Sequence, residues 1–259
     1  MANPPLIVGN WKMNGTVEET LKMITELRHK LAPGTAQVAV APPFTSLYSA
    51  AVALQDTPIK LAAQNMHWET EGPYTGEISG LFLKEIGCAY AIIGHSERRQ
   101  YFGETDEAVN RKIRTALAQE LVPIFCVGET AEQRKSGKTE AVLETQLKKG
   151  LQGFQMNDVK NMVIAYEPVW AIGTGQTAAV NEIEEAHRFI RNLLAKTYDA
   201  PTANGVSLLY GGSVSPENAR TIFQVKNVDG LLVGGASLVM DKFLKIIESA
   251  EVKEPAQKQ

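Results

Sequence analysis

Cysteine is scarce in this chain: Cys88 and Cys126 are the only two in 259 residues, far apart and in no CxxC pair. That spacing suggests neither a disulfide framework nor a thiolate metal site, and a reducing, cytoplasmic setting is expected. Histidine is nearly as thin, with four residues, no HExxH and no pair at ligand spacing, so a metal hydrolase is not expected. Positive charge is not in excess either. The formal net charge of −3 gives no electrostatic footprint for nucleic acid or for an anionic membrane, so an anionic ligand must be held locally. No apolar run approaches membrane-spanning length, and the first residues, MANPPLIVGNWK, lack the basic flank and apolar stretch of a signal peptide.

What is present is a repeated rhythm. Short apolar runs at 6–9, 37–41, 59–63, 90–94, 122–127, 162–167, 206–210 and 230–233 read as buried strands, and each is followed by a polar turn and a stretch at helical spacing. The first helical stretch opens on Thr16 with Glu19 three residues on, a capping box, and continues through Val17, Leu21, Ile24, Leu27 and Leu31. Later ones are expected at 45–54, 80–86 and 105–120, then as two pieces split at Ser136 and Gly137. Further helices are expected from Asn181 with Glu184 at its third position, from Ser215-Pro216, and over 238–250.

Eight strand-then-helix units of roughly 30 residues match the ~250-residue size of a closed (β/α)8 barrel, with eight parallel strands ringed by helices. Strands this apolar are expected where both faces are covered. An open doubly wound sheet is the alternative, but no GxGxxG follows the first strand and no linker divides the chain. A single α/β domain over 1–251 with a polar tail at 252–259 is therefore expected. The connection 64–79, QNMHWETEGPYTGEIS, is unusually long for such a barrel and marks a functional or partner-binding loop.

In a barrel the residues just after each strand converge on the C-terminal face, where such folds react. Asn10, Lys12, His95, Glu167, Ser213, Gly234 and Gly235 become neighbours there. The stretch AYEPVWAIGTGQT places Glu167 at a strand end, ahead of Pro168 and of an apolar, glycine-bearing segment that reads as its lid. Most glutamates are exposed ion-pair partners; the strand-end position and the apolar cover argue for a general base with a raised pKa. His95 precedes a segment expected to start a short helix, whose amide dipoles would keep the ring neutral. A backbone-bonded structural histidine is the competing reading. Lys12 offers a fixed cation for an enolate or an anion, and Asn10 is otherwise a turn former. Gly211-Gly212-Ser213 and Gly234-Gly235, with Gly173 in the lid, read as a phosphate site built from backbone N–H groups. Cys126 reads as a packing thiol, and His29, His67 and His187 as surface or local packing residues.

GNWKMN at 9–14, IIGHSERR at 92–99, AYEPVWAIGTG at 165–175, YGGSV at 210–214 and LVGGASL at 232–238 stand in one order. Over nearly its whole length the chain resembles the triosephosphate isomerase family. The resemblance implies a TIM barrel that interconverts dihydroxyacetone phosphate and D-glyceraldehyde 3-phosphate through an enediolate, a step of glycolysis and gluconeogenesis, without cofactor or metal. It implies that Glu167 moves the proton, that neutral His95 polarises and protonates the oxygens, and that Lys12 supplies charge with Asn10 beside it. Gly173, Ser213, Gly234 and Gly235 would hold the phosphate, while Ile172 and Leu232 would clamp Glu167. Closure of the lid would protect the enediolate from losing phosphate. A homodimer is implied too: the 64–79 loop would enter the neighbouring subunit, with Thr75 reaching that subunit's Asn10, Lys12 and His95. Glu97 and Arg98 would support Lys12 and the interface. Two departures stand out, Gln176-Thr177-Ala178 at the lid's far hinge and Pro73-Tyr74 in the interface loop. They bear on lid opening and dimer strength before chemistry.

Overall fold

The computed structural model of the chain describes residues 4–34, 36–172 and 177–250. Its strands are β1 (Leu6–Asn10), β2 (Gln37–Ala41), β3 (Lys60–Ala63), β4 (Cys88–Ile93), β5 (Val122–Val127), β6 (Val163–Tyr166), β7 (Ser207–Tyr210) and β8 (Gly230–Val233). Each pairs in parallel with the next, and β1 closes on β8 with Val8 opposite Leu232. The ring of helices is α1 (Val17–Lys30), α2 (Phe44–Ala53), α3 (Gly80–Glu85), α4 (Ser96–Phe102), α5 (Asp106–Ala118), α6 (Ala131–Lys135), α7 (Thr139–Gly150), α8 (Met156–Val159), α9 (Val180–Thr197), α10 (Ala200–Gly205), α11 (Ala219–Phe223) and α12 (Met240–Ala250).

The apolar runs are continuous because each strand is covered twice. Side chains alternate across a strand: Val8, Ala39, Ile92, Ile124, Ala165 and Leu209 fill the barrel interior, while Ile7, Val40, Ile93, Phe125, Ile164 and Leu208 pack outward. The outward layer meets Ile24 and Leu27 of α1, Ile113 of α5, Leu143 and Leu147 of α7, and Phe243 and Ile247 of α12. The Thr16–Glu19 capping box forms: Oγ1 accepts the Glu19 N–H at 3.3 Å and the Glu19 carboxylate accepts the Thr16 N–H at 2.8 Å. Such a cap contributes on the order of 1 kcal/mol.

Several element boundaries differ from the sequence reading, each for a local reason. The helix after the lid starts at Val180, not Asn181, because the Glu182 carboxylate accepts the Ala179 N–H at 2.8 Å and caps one position earlier; Leu193 on it is only half-buried. Ser215-Pro216 opens a turn instead of a helix. There the Asn218 side chain accepts the Ser215 N–H at 2.8 Å and donates to the Ser213 carbonyl at 3.1 Å, and α11 begins at Ala219. A tight 3-10 turn at Gly235–Leu238 delays α12 to Met240. Helices α8 and α10 are too short to show a period and were not expected. Among the described residues, no helix is long and apolar enough to cross a membrane.

Candidate active site

The C-terminal ends of the strands surround a cavity of about 250 Å³ lined by Asn10, Lys12, His95, Glu167, Ile172, Gly211, Gly212, Ser213, Val214, Leu232, Gly234, Gly235 and Ala236. The strand-end residues singled out in the sequence therefore meet in one place, and Ile172 and Leu232 share that wall with Glu167. Gly173 and Gln176 lie outside the described residues. Thr75 is exposed on the 64–79 loop and does not line this cavity. Larger cavities lie at the opposite mouth of the barrel, about 510 Å³, and behind Glu167, about 550 Å³. Neither gathers Lys12, His95 and the glycine turns.

Glu167 is 2% exposed. It follows β6 directly, and its N–H donates to the Val127 carbonyl at 2.8 Å, which fixes its backbone to β5. One carboxylate oxygen accepts the Ser96 N–H at 2.9 Å and the other stands 3.0 Å from His95 Nε2. Burial pushes the carboxyl pKa up; against it a protonated His95, the His95 hydrogen bond, the Ser96 amide and Lys12 pull it down, and with the imidazolium present the balance falls below the ordinary glutamate value. The apolar cover expected from the sequence is present, and with a neutral His95 the downward pull is left to the His95 and Ser96 hydrogen bonds and Lys12. Gly211 allows the side chain its place, since a Cβ there would stand 3.0 Å from Glu167 Cγ.

His95 caps the N-terminus of α4, and its Nδ1 accepts the Glu97 N–H at 3.2 Å. On His95, burial disfavours the imidazolium, while the Glu167 carboxylate opposes that and raises the pKa overall. The hydrogen-bond geometry decides between the two. A proton on Nδ1 would set N–H against N–H at Glu97, so the ring is neutral and its one proton sits on Nε2, facing Glu167.

Lys12 has a left-handed backbone, φ +52°, which only surrounding contacts can hold in a residue with a long side chain. The Asn10 side chain accepts its N–H at 3.1 Å, and Gln64 Nε2 donates both to the Lys12 carbonyl at 2.7 Å and to the Ala41 carbonyl at 2.8 Å. Its ammonium pairs with Glu97 at 2.5 Å. Arg98 instead pairs with the buried Glu104 at 3.3 Å, and Glu104 also pairs with Lys112.

Glu129 was not apparent from the sequence. Fully buried after β5, it accepts hydrogen bonds from the Tyr166 hydroxyl at 3.2 Å, Trp170 Nε1 at 2.9 Å and Arg134 at 3.2 Å. Like Gln64 and Ser96, it stands within three residues of a strand end, the same signal that singled out Lys12, but only the closed ring shows which groups it bonds at the lid's base. Cys126 is fully buried, with its thiol pushed well above the usual range by burial, and His187 is a buried packing histidine held down to about 4 by the same cause. Among the described residues, no group of three His, Cys, Asp or Glu is placed to hold a metal ion.

The arrangement joins a carboxylate, a neutral imidazole, a cation and glycine-rich turns, and the family model for triosephosphate isomerase matches residues 5–250. The chain belongs to the triosephosphate isomerase family. A triosephosphate isomerase of Dictyoglomus turgidum is 50% identical over 246 residues, covering 94% of this chain and 98% of the relative. One of Alkaliphilus metalliredigens is 51% identical over 243 residues with the same coverage. A third, of Geotalea uraniireducens, is 49% identical over 249 residues, 95% of this chain and 99% of the relative.

Proposed function

We propose that this cavity interconverts dihydroxyacetone phosphate and D-glyceraldehyde 3-phosphate by proton transfer through an enediolate. The observation that carries the reading is the 3.0 Å contact of His95 Nε2 with Glu167 beside the Lys12 ammonium and two glycine turns. Glu167 is the base that moves the proton between the two carbons, and the hydrogen bonds it accepts from Ser96 N–H and His95 Nε2 favour its ionised form. A substrate carbonyl oxygen takes over the Nε2 proton of His95, which frees the carboxylate from that contact to face the carbon acid. Lys12, with Asn10 setting its backbone, offsets the negative charge that develops on the oxygens. Ser213, Gly234 and Gly235, with Gly173, bind phosphate through backbone N–H groups. The reaction moves a proton and no net electrons, so it is chemically complete without a cofactor. A cavity of about 250 Å³, smaller than the ~300–1,000 Å³ of pockets for drug-sized ligands, suits a three-carbon phosphate better than a longer sugar. Glyceraldehyde 3-phosphate supplied to the folded protein in a coupled assay is expected to be turned over. No turnover would leave the site a phosphate-binding pocket.

The working unit in this reading is a homodimer in the cytoplasm. The 64–79 loop is internally braced, with His67 N–H donating to the Ile78 carbonyl at 2.8 Å and the His67 and Tyr74 rings 4.4 Å apart, yet Thr75 at its tip touches nothing of the cavity. Large apolar side chains stand exposed at Met13, Tyr74, Tyr101 and Phe102, next in sequence to Lys12, to Thr75 and along the helix that His95 caps. A second copy would cover them and bring Thr75 towards its Asn10, Lys12 and His95. Sedimentation at micromolar concentration is expected to give a dimer, and a fully active monomer would contradict it.

A further inference from the structure

β5 stops at Val127, and Gly128 has already left the ladder. Both of its backbone polar groups are taken by one side chain from α7: Gln146 Oε1 accepts the Gly128 N–H at 2.8 Å, and Gln146 Nε2 donates to the Gly128 carbonyl at 3.1 Å. The amide of Gln146 thus serves Gly128 as a neighbouring strand would. Gly128 is buried against the backbone of Glu167, so closely that a Cβ on it would stand 1.7 Å from the Glu167 carbonyl oxygen. With no slack in that contact, a displacement of Gly128 is passed on to Glu167. The next residue, Glu129, accepts Trp170 Nε1–H at 2.9 Å, so the same turn also sets the near hinge of the lid.

We infer that Gln146 is a positioning residue for catalysis: by clamping both polar groups of Gly128 it fixes the backbone from which Glu167 projects. The inference rests on Glu167 being the base. Gln146 touches neither substrate cavity nor reacting atoms and acts through Gly128, from the middle of a helix that none of the strand-end motifs reaches. Losing the clamp removes two hydrogen bonds and lets the turn drift, and a misplacement near 1 Å is enough to cost about 10²-fold in rate.

The test is steady-state kinetics of Gln146→Leu, which removes both bonds at similar volume, and of Gln146→Glu, with Thr145→Ala as a control on the exposed side of the same helix. Gln146→Leu is expected to lower kcat by about tenfold or more with KM within about threefold, the signature of a displaced reacting group and not of lost substrate binding. Ionised Gln146→Glu keeps the acceptor for the Gly128 N–H but loses the donor to its carbonyl, and protonation restores that donor. Its kcat relative to the parent is therefore expected to rise as pH falls, a response that a merely structural role would not give. Thr145→Ala should match the parent. A folded Gln146→Leu protein with kcat within about twofold of the parent overturns the inference. So does a kcat ratio for Gln146→Glu that stays flat with pH, which decides the matter if the leucine variant does not fold. Glu167→Asp measured alongside separates the two levels: normal kcat in that variant removes the base itself, whereas loss there with intact Gln146→Leu activity removes only the role of Gln146.

Discussion

Glu167→Asp is expected to lower kcat by about 10²–10⁴-fold, the usual contribution of a positioned general base, while KM changes little. Shortening the side chain by one methylene leaves a carboxylate of the right chemistry in the wrong place. It draws the oxygens away from Ser96 N–H and His95 Nε2, now 2.9 and 3.0 Å distant, and equally from a substrate carbon facing that side of the cavity. Because the interaction is realised only as the proton moves, its loss falls on kcat and leaves ground-state binding nearly untouched. Coupled assays in both directions on protein with unchanged far-UV circular dichroism give the two constants, and an unchanged kcat would remove Glu167 from the mechanism.

Lys12→Met should fail in a different way. The ammonium lines the cavity, and the nearest neighbour of a Cβ built on Gly234 would be its Cε at 3.5 Å, which places it beside the turn assigned to phosphate. It therefore meets the anionic ligand in the ground state and the enediolate in the transition state. Methionine keeps length and apolar volume but removes the charge. The expectation is a fall in kcat/KM of about 10³-fold or more in which KM rises as well as kcat falling, together with weaker competitive inhibition by inorganic phosphate. The variant also leaves Glu97 without its 2.5 Å partner, so Lys12→Met combined with Glu97→Gln separates loss of the cation from the uncompensated carboxylate. Unaltered KM and phosphate inhibition in Lys12→Met would take the lysine out of substrate binding.

Buried-strand runs such as 122–127 coincide with β5 because a strand covered on both faces must be apolar throughout. The Thr16–Glu19 cap was equally readable, being a contact between residues three apart. The starts of α9, α11 and α12 were misplaced where a second capping side chain or a 3-10 turn competed locally, as Glu182 and Asn218 do. For the site, the strand-end rule placed Asn10, Lys12, His95, Glu167, Ser213, Gly234 and Gly235 on one face. It could not foresee that the Ser96 amide and His95 would act on the Glu167 carboxylate against its burial.

By itself, then, the sequence determined the periodic strand-and-helix order, the apolar layers and the chemistry waiting at each strand end, because these follow from side-chain period and local backbone preference. Only the tertiary structure decided how those groups act on one another. Closing β8 onto β1 sets Lys12 beside Gly234, the pairing of β4 and β6 on either side of β5 points His95 Nε2 at Glu167, and the packing of α7 delivers Gln146 to Gly128. The spacings that govern charge, tautomer and reach are distances of about 3 Å between residues tens of positions apart, and nothing in a linear pattern encodes them.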